Sequence, residues 1–539
     1  MNTDSQSAPY QVCITRREMG WVALVSVTLL AVTSLPYLVG WWMDAHDAAH
    51  VFGGFIYAVE DGNSYLAKMQ VGAAGHWLFY LAYTPEPHQG ELFFLYYILL
   101  GKLSRLLGLS MLTGLHLSRI LTVPFGLFCY YRFIAYWTFD CAVRRWGLAL
   151  FAFTAGLGWL WVVLGGGSTL GAMPVDLWVP DASYFFSALL FPHLPLAQGL
   201  LLWFVTDALE FLAVGRVRSG AMAALVGLLV SLIHPYTLPV IGVVVGLFAA
   251  WQVLRRRWLF WPTVGRLAAA MAPTIPYLAY NGFVFWNNPA FQSWREQSQT
   301  VSPAPVHYLL GLGFILIWAV VGIARRRTCE GRPLDFLIVW AAAVPILIYL
   351  PSSIQRRFLD GYQAPLTVLA ACGLRSVFSD LRRPQVRRLA PGLVVGLMML
   401  TNLLLIVGAL AVLPGRDEPL FRPGAEQAAA DWLARRAQGE VVLSGYESGN
   451  YLPTRGAMRV FLGHRPETMR SAEKRDLVAS FFSGETDDAW RQRLLAKYDV
   501  RWVWWGPWER ALGPFDPGTC EYLDPAYDVG GYAVFEVVR

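Results

Sequence analysis

Residues Arg16–Trp41 read RREMGWVALVSVTLLAVTSLPYLVGW: two arginines, a glutamate, then an uncharged apolar stretch from Met19 to Trp41. A helix of about 20 apolar residues crosses the hydrocarbon core of a bilayer, so this stretch reads as a span with its basic flank in the cytoplasm. It is long enough to span and lacks a small-residue cleavage pattern, so it is expected to stay as an anchor. Comparable runs follow at Met111–Trp137, Trp146–Leu164, Tyr184–Leu212, Met222–Leu232, Leu238–Val253, Leu267–Val284, Tyr308–Ala324, Phe336–Leu350, Leu366–Val377 and Leu389–Leu413. Met222–Leu232 and Leu366–Val377 need flanking residues to span. Of 539 residues 56% are hydrophobic and only 15% charged, too little charge to cover a soluble chain of this length. The expected fold class is mainly α, a polytopic transmembrane protein.

Basic clusters at Arg16–Arg17, Arg144–Arg145, Arg216 with Arg218, Arg255–Arg257, Arg325–Arg327, and Arg382–Arg383 with Arg387–Arg388 fall between successive pairs of runs. Placing them all inside gives about eleven spans, a cytoplasmic N-terminus and an external C-terminus. The net charge of +6 is then an orientation signal, and no nucleic-acid partner is expected. Glu91–Leu107 would upset this count as a further span. It reads instead as a helix in the interface, Lys102 and Arg105 reaching to the headgroups. Residues 1–413 form the expected membrane domain, with a first outer loop at 42–110. Residues 414–539 form a small extracytoplasmic α/β domain. In it helices are expected at Ala425–Ala437 and Asp487–Tyr498, and strands at Glu440–Leu443, Met458–Leu462, Arg501–Trp505 and Tyr532–Val538. It contains no GxGxxG or P-loop, which removes a nucleotide-cofactor site. The six cysteines, Cys13 first among them, have no metal-type spacing, and only Cys520 would face outside, so no disulfide framework is expected.

The first outer loop concentrates the polar chemistry: Glu60 and Asp61, Tyr65, Lys68, Gly75-His-Trp77 and Thr84-Pro-Glu86-Pro-His88. A carboxylate near apolar walls has a raised affinity for protons and suits general-base work. Acids and imidazoles at one depth could also bind a divalent metal, Mg or Mn. Solvated loop residues that cap helices would look the same, and spacing alone does not separate the two.

Asp61 with Tyr65 four residues on, Gly75-His-Trp77, and a proline-containing element opening an interfacial helix resemble the GT-C superfamily of membrane glycosyltransferases. The aminoarabinose transferases of bacteria and the protein O-mannosyltransferases show the pattern most clearly. Similarity continues through Gly108-Leu-Ser110, Leu117-Ser-Arg119-Ile120, Arg144–Arg145 and Gln355-Arg356-Arg357-Phe358 before Ala364-Pro365. It is densest over Ala58–Arg145 and leaves the tail outside. Two departures stand out: the family's second acid is Gly62 here, with Glu60 ahead of Asp61 instead, and its Pro-Pro pair is Pro85-Glu86-Pro87-His88.

The resemblance implies a GT-C-like fold in the plasma (inner) membrane of a prokaryote. It implies transfer of a sugar from a polyprenyl-phosphate donor to an acceptor (glycan, lipid or protein) at the outer face, with inversion. Asp61 would take the acceptor proton. Arg356 and Arg357 would hold the donor phosphate bidentately, with Lys68 and Arg119 as further candidates; ordinary snorkelling to headgroups is the alternative for the arginine pair. Glu60, Glu86, His88 and Asp181 would support the acceptor or a metal, and Tyr65 and Trp77 would position substrate. Asp176 is an alternative to Asp181, and Asp181 could equally be a helix N-cap. His193 and His234 are either functional groups within or near spans or neutral histidines beside proline kinks. Trp294-Arg295-Glu296 could line a lipid groove. In the tail, Gly445–Asn450 and Gly463-His464-Arg465 follow strands and could be either a ligand crevice or plain turns. Two other functions compete. A transporter or flippase of lipid-linked saccharides would put ionisable groups at mid-membrane, whereas here the acids gather in outer loops. An inactive GT-C-like scaffold would have less reason to retain Asp61, Tyr65 and Arg357 together.

Overall fold

Thr15 starts the first helix by a capping box: its hydroxyl accepts from the Glu18 amide, and the Glu18 carboxylate accepts from the Thr15 amide. The helix then runs Arg16–Asp44, covering the quoted stretch. In the computed structural model, which describes residues 14–326 and 329–538, this helix and Met111–Trp137, His193–Val214 and Thr237–Leu254 are long and apolar enough to cross a membrane. Two bent pairs raise the number to six if each is one span: Pro305–Leu312 with Phe314–Ala324, bent by 79°, and Pro384–Met398 with Leu400–Gly415, bent by 47°. Cys13 and Arg327, the latter counted in the fifth basic cluster, lie outside the described residues.

Several expected runs are divided, each for a local reason. Tyr184–Leu212 breaks at Phe191-Pro192, between helices Tyr184–Leu190 and His193–Val214, because Pro192 has no N–H to continue the ladder. Trp146–Leu164 breaks after Phe153, and the Asp176 carboxylate accepts from the freed Gly156 and Gly158 amides, each at 3.0 Å. Gly313 makes the 79° bend with φ +52, a conformation that favours glycine.

The segment Glu91–Leu107, expected to lie in the interface, contains a short helix, Leu95–Leu106, about 18 Å long at 1.5 Å per residue and too short to span by itself. Lys102 and Arg105, read as reaching to the headgroups, have acceptors within the protein. They turn to the helix Val59–Ala73 and donate to the Gly75 and Ala73 carbonyls at its C-terminal end, where the last turn leaves acceptors unsatisfied. The two helices meet at glycines: a Cβ on Gly72 would lie 2.1 Å from the Ile98 carbonyl oxygen, and one on Gly101 1.9 Å from that of Met69.

The tail forms a five-stranded sheet. Its strands are β3 (Val441–Leu443), β4 (Arg459–Val460), β5 (Val500–Trp505), β6 (Leu523–Val529) and β7 (Tyr532–Val537), in the order β4-β3-β5-β7-β6. The β3–β4 and β3–β5 pairs are parallel, and the β5–β7 and β6–β7 pairs antiparallel. Helix Ser471–Phe482 and strand β6 have no counterpart in the sequence reading. The tail does not hang free of the first outer loop. Strand β1 (His50–Phe52) pairs antiparallel with β2 (Phe421–Pro423). Ala67, Ala82 and Tyr83 of the loop share one apolar core with Leu433, Val442, Leu452, Val460 and Trp504 of the tail.

Candidate active site

The Val59–Ala73 helix is wedged between three apolar cores: Leu66 and Met69 enter that of the helical bundle, Ala67 that of the tail, and Val71 that around Phe79. Its remaining stripe carries Asp61, Ser64 and Lys68, which spacings of three and four bring onto one face. The chain enters this helix through Ala58, held at φ +50, which costs a non-glycine residue about 1–3 kcal/mol and marks over-determined surroundings. Gly62 has no space for the acid of the family pattern: a Cβ there would lie 2.6 Å from the Phe55 ring.

Asp61 opens onto two cavities, of about 340 and 240 Å³, that share Asp61, Tyr65, His193 and Arg357 as walls. The larger adds Lys68, His234, Tyr236, Trp294, Arg295 and His464; the smaller adds Asp181 and Arg356. The Asp61 side chain is 57% exposed because it faces this open space, although protein surrounds the cavities. Tyr65 stacks on Tyr97 (4.4 Å between centroids), whose hydroxyl is 2.6 Å from His193 Nδ1.

The partner of Asp61 comes from the tail. His464 Nε2 lies 3.2 Å from Asp61 Oδ1, and its Nδ1 is 3.5 Å from Glu467 Oε1. Glu467 in turn accepts from Ser64 Oγ (2.7 Å) and Lys68 Nζ (2.6 Å). The Lys68–Glu467 pair is almost fully buried, at 1% and 3% exposure. Lys68 is thus already ion-paired. These contacts correct the expectation that apolar walls raise the proton affinity of Asp61. Burial does push its carboxyl up, but the His464 hydrogen bond and the charges of His464, Arg357 and Lys68 outweigh it and hold it below the usual aspartate value. Burial pushes the His464 imidazole down, yet Asp61 and Glu467 carry it up to about 9. Glu467 is likewise raised by burial and drawn down to about 2, chiefly by Lys68.

The other expected residues divide. Arg356 stacks over Trp178 at 4.3 Å, and Arg357 over Tyr236 at 5.5 Å. Asp181 is 3% exposed with its Oδ1 unpartnered, and burial raises its carboxyl against the pull of Arg357. The N-cap of the next helix is Ser183, not Asp181. Glu60 accepts from the Tyr446 hydroxyl at 2.9 Å. Glu86 and His88 lie outside both cavity linings: Lys474 Nζ donates to Glu86 at 2.6 Å, while His88 Nε2 accepts from the Leu81 amide and its Nδ1 donates to the Glu86 carbonyl. Trp77 is 61% exposed, with Lys102 over its ring. Arg119 is buried and donates to Thr33, Ser34 and the Ala188 carbonyl, away from both cavities. His234 Nδ1 sits 3.1 Å from Asp360 Oδ2. Among the described residues no three of His, Cys, Asp or Glu gather into a group that could hold a metal ion. The donor set does not fit a protein-built metal site, and no step below passes through one.

Sequence reasoning missed Glu467, Lys474 and Asp360. It noted His464 as part of a loop after a strand, either a ligand crevice or a plain turn, without a link to Asp61.

No protein-family model and no curated protein sequence matches the chain. Solved structures do. The overall fold is shared with solved structures of three membrane glycosyltransferases. The chain is similar to the aminoarabinose transferase ArnT of Cupriavidus metallidurans in its apo state (TM-score 0.52, 14% identity, 96% of this chain and 98% of that one). It is also similar to the arabinofuranosyltransferase AftD from Mycobacteria (0.57, 13%, 98% of this chain and 40% of that one) and to the apo oligosaccharyltransferase of Archaeoglobus fulgidus (0.52, 13%, 91% and 70%). At 96% coverage the likeness to ArnT takes in most of the tail, which the sequence resemblance had left outside.

Proposed function

We propose that this protein is a GT-C-type glycosyltransferase that moves a sugar from a polyprenyl-phosphate carrier to an acceptor at the outer face of the membrane. The observation that carries the reading is the shared wall: a carboxylate, Asp61, and a guanidinium, Arg357, border the same two cavities. An ArnT structure with undecaprenyl phosphate bound has the same overall fold (TM-score 0.50), which supports a lipid-phosphate donor. The acceptor hydroxyl attacks the anomeric carbon with inversion, Asp61 takes its proton, and the bond from that carbon to the phosphate oxygen breaks. Arg356 and Arg357 offset the charge left on the lipid phosphate. Because Asp61 is held below the usual aspartate value, it is ionised and ready to accept at neutral pH.

In this reading residues 1–413 are the membrane domain, with the N-terminus cytoplasmic. Residues 414–539 are an outer domain that closes over the first loop in a plasma membrane. Asp61→Asn, assayed in membranes with labelled polyprenyl-phosphate sugars, is expected to lose about 10²–10⁴-fold in transfer. Full activity at normal expression would remove Asp61 as the base.

A further inference from the structure

Resting on the reading of Asp61 as the base, we infer that His464 is its positioning residue, delivered by the tail and locked by Glu467, Ser64 and Lys68. Asp61 stands in open cavity space, where a carboxylate on a short side chain could turn freely. His464 engages Oδ1 at 3.2 Å and leaves Oδ2 as the oxygen outside that bond. The imidazole is flanked in turn by Glu467, which stands at ion-pair distance (3.5 Å) from an Nδ1 that makes no hydrogen bond and which is itself anchored by Ser64 and Lys68. The chain of contacts starts and ends on one face of the Val59–Ala73 helix. The tail therefore reads the position of the base against its own helix.

The four groups alternate in charge: Asp61 negative, His464 positive, Glu467 negative, Lys68 positive. The other charged and titratable groups on that wall include Arg357, Tyr65, His193, His234, Tyr236 and Arg295, and the Tyr83 ring lies 5.7 Å from that of His464. In the reaction the acceptor proton ends on Asp61, and His464 keeps its own throughout. His464 acts by orienting Asp61 and by keeping it ionised. Removing the imidazolium leaves a desolvated carboxylate with fewer compensating charges, so the pH at which Asp61 loses its proton must rise.

The test uses the full chain and the labelled polyprenyl-phosphate sugar on which the unsubstituted protein is active. His464→Gln is expected to lower kcat about 10–100-fold, to leave the donor KM within about twofold because the phosphate is assigned to Arg356 and Arg357, and to move the acid limb of the rate profile to higher pH. Glu467→Gln removes a negative charge from the same chain of contacts and should move that limb the opposite way, to lower pH. An unchanged kcat and pH profile in His464→Gln overturns the inference. So does early thermal unfolding combined with an unchanged profile, which would make His464 a purely structural contact. A second measurement needs no change at position 464. Histidine-selective NMR should show His464 titrating near 9 in the unsubstituted chain and lower in Asp61→Asn, and a titration that ignores Asp61→Asn overturns the inference. Full activity of Asp61→Asn defeats the base reading itself; an inactive Asp61→Asn beside an unaltered His464→Gln defeats only the positioning role.

Discussion

Lys68 shows how one residue type supports two accounts until its surroundings are known. Under the family resemblance it is a further candidate for the donor phosphate; folded, its ammonium is paired with Glu467 at 2.6 Å. Breaking that buried pair by Lys68→Met leaves an uncompensated carboxylate and is expected to destabilise by about 3–5 kcal/mol, read as a lowered Tm in detergent. The junction has a pH signature of its own. Glu467, drawn from 4.5 to about 2, stabilises above about 4.5 and loses that contribution as pH falls towards about 2. His464, raised from 6.5 to about 9, stabilises fully below about 6.5 and loses that contribution as pH rises through about 9. Thermal unfolding should therefore peak between about 4.5 and 6.5, and His464→Gln should flatten the alkaline side. Asp61 and Arg357 were singled out through the family resemblance, because spacing alone left a solvated loop and headgroup snorkelling open; the fold brings both to the wall of the same two cavities. Glu467 was not legible, because only folding brings it to a helix some 400 positions earlier.

At the scale of elements, the Val59–Ala73 and Leu95–Leu106 helices cross so closely that only glycine fits at the contact. Gly101→Ala would set a Cβ 1.9 Å from a backbone carbonyl, which overpacks the crossing at a cost of about 1–3 kcal/mol. Because Tyr97 on the second helix stacks on Tyr65 beside Asp61, kcat should fall along with Tm. The apolar runs announced the long helices almost to the residue, as Met111–Trp137 illustrates. The breaks were less visible. Pro192 was a readable warning, whereas the gap after Phe153 depends on Asp176 reaching across to take two amides, and composition carries no trace of it. In the tail, β5 and β7 were readable from their aromatic and β-branched residues. Strand β6, LDPAYDV, is mostly exposed and carries none of the alternation that marks a half-buried strand.

At the scale of the whole molecule, the basic clusters and the tail make the proposed orientation testable. Cys141 is exposed next to the second basic cluster, and Cys520 is half-buried in the tail. A membrane-impermeant maleimide should label Cys520 from outside and Cys141 only from the cytoplasmic side; the reverse pattern would invert the topology.

The partnership of Asp61 with His464, 403 positions later, also sets a clock. A ribosome adding about 5–20 residues per second takes roughly 20–80 s to travel from one to the other. For that interval the newborn loop holds its carboxylate without its imidazole, and strand β1 without β2. The proposed site is thus completed only late in synthesis, after more than four-fifths of the chain has been made. On the proposed function, a product truncated before His464 would keep its apolar helices and lack the partner of Asp61.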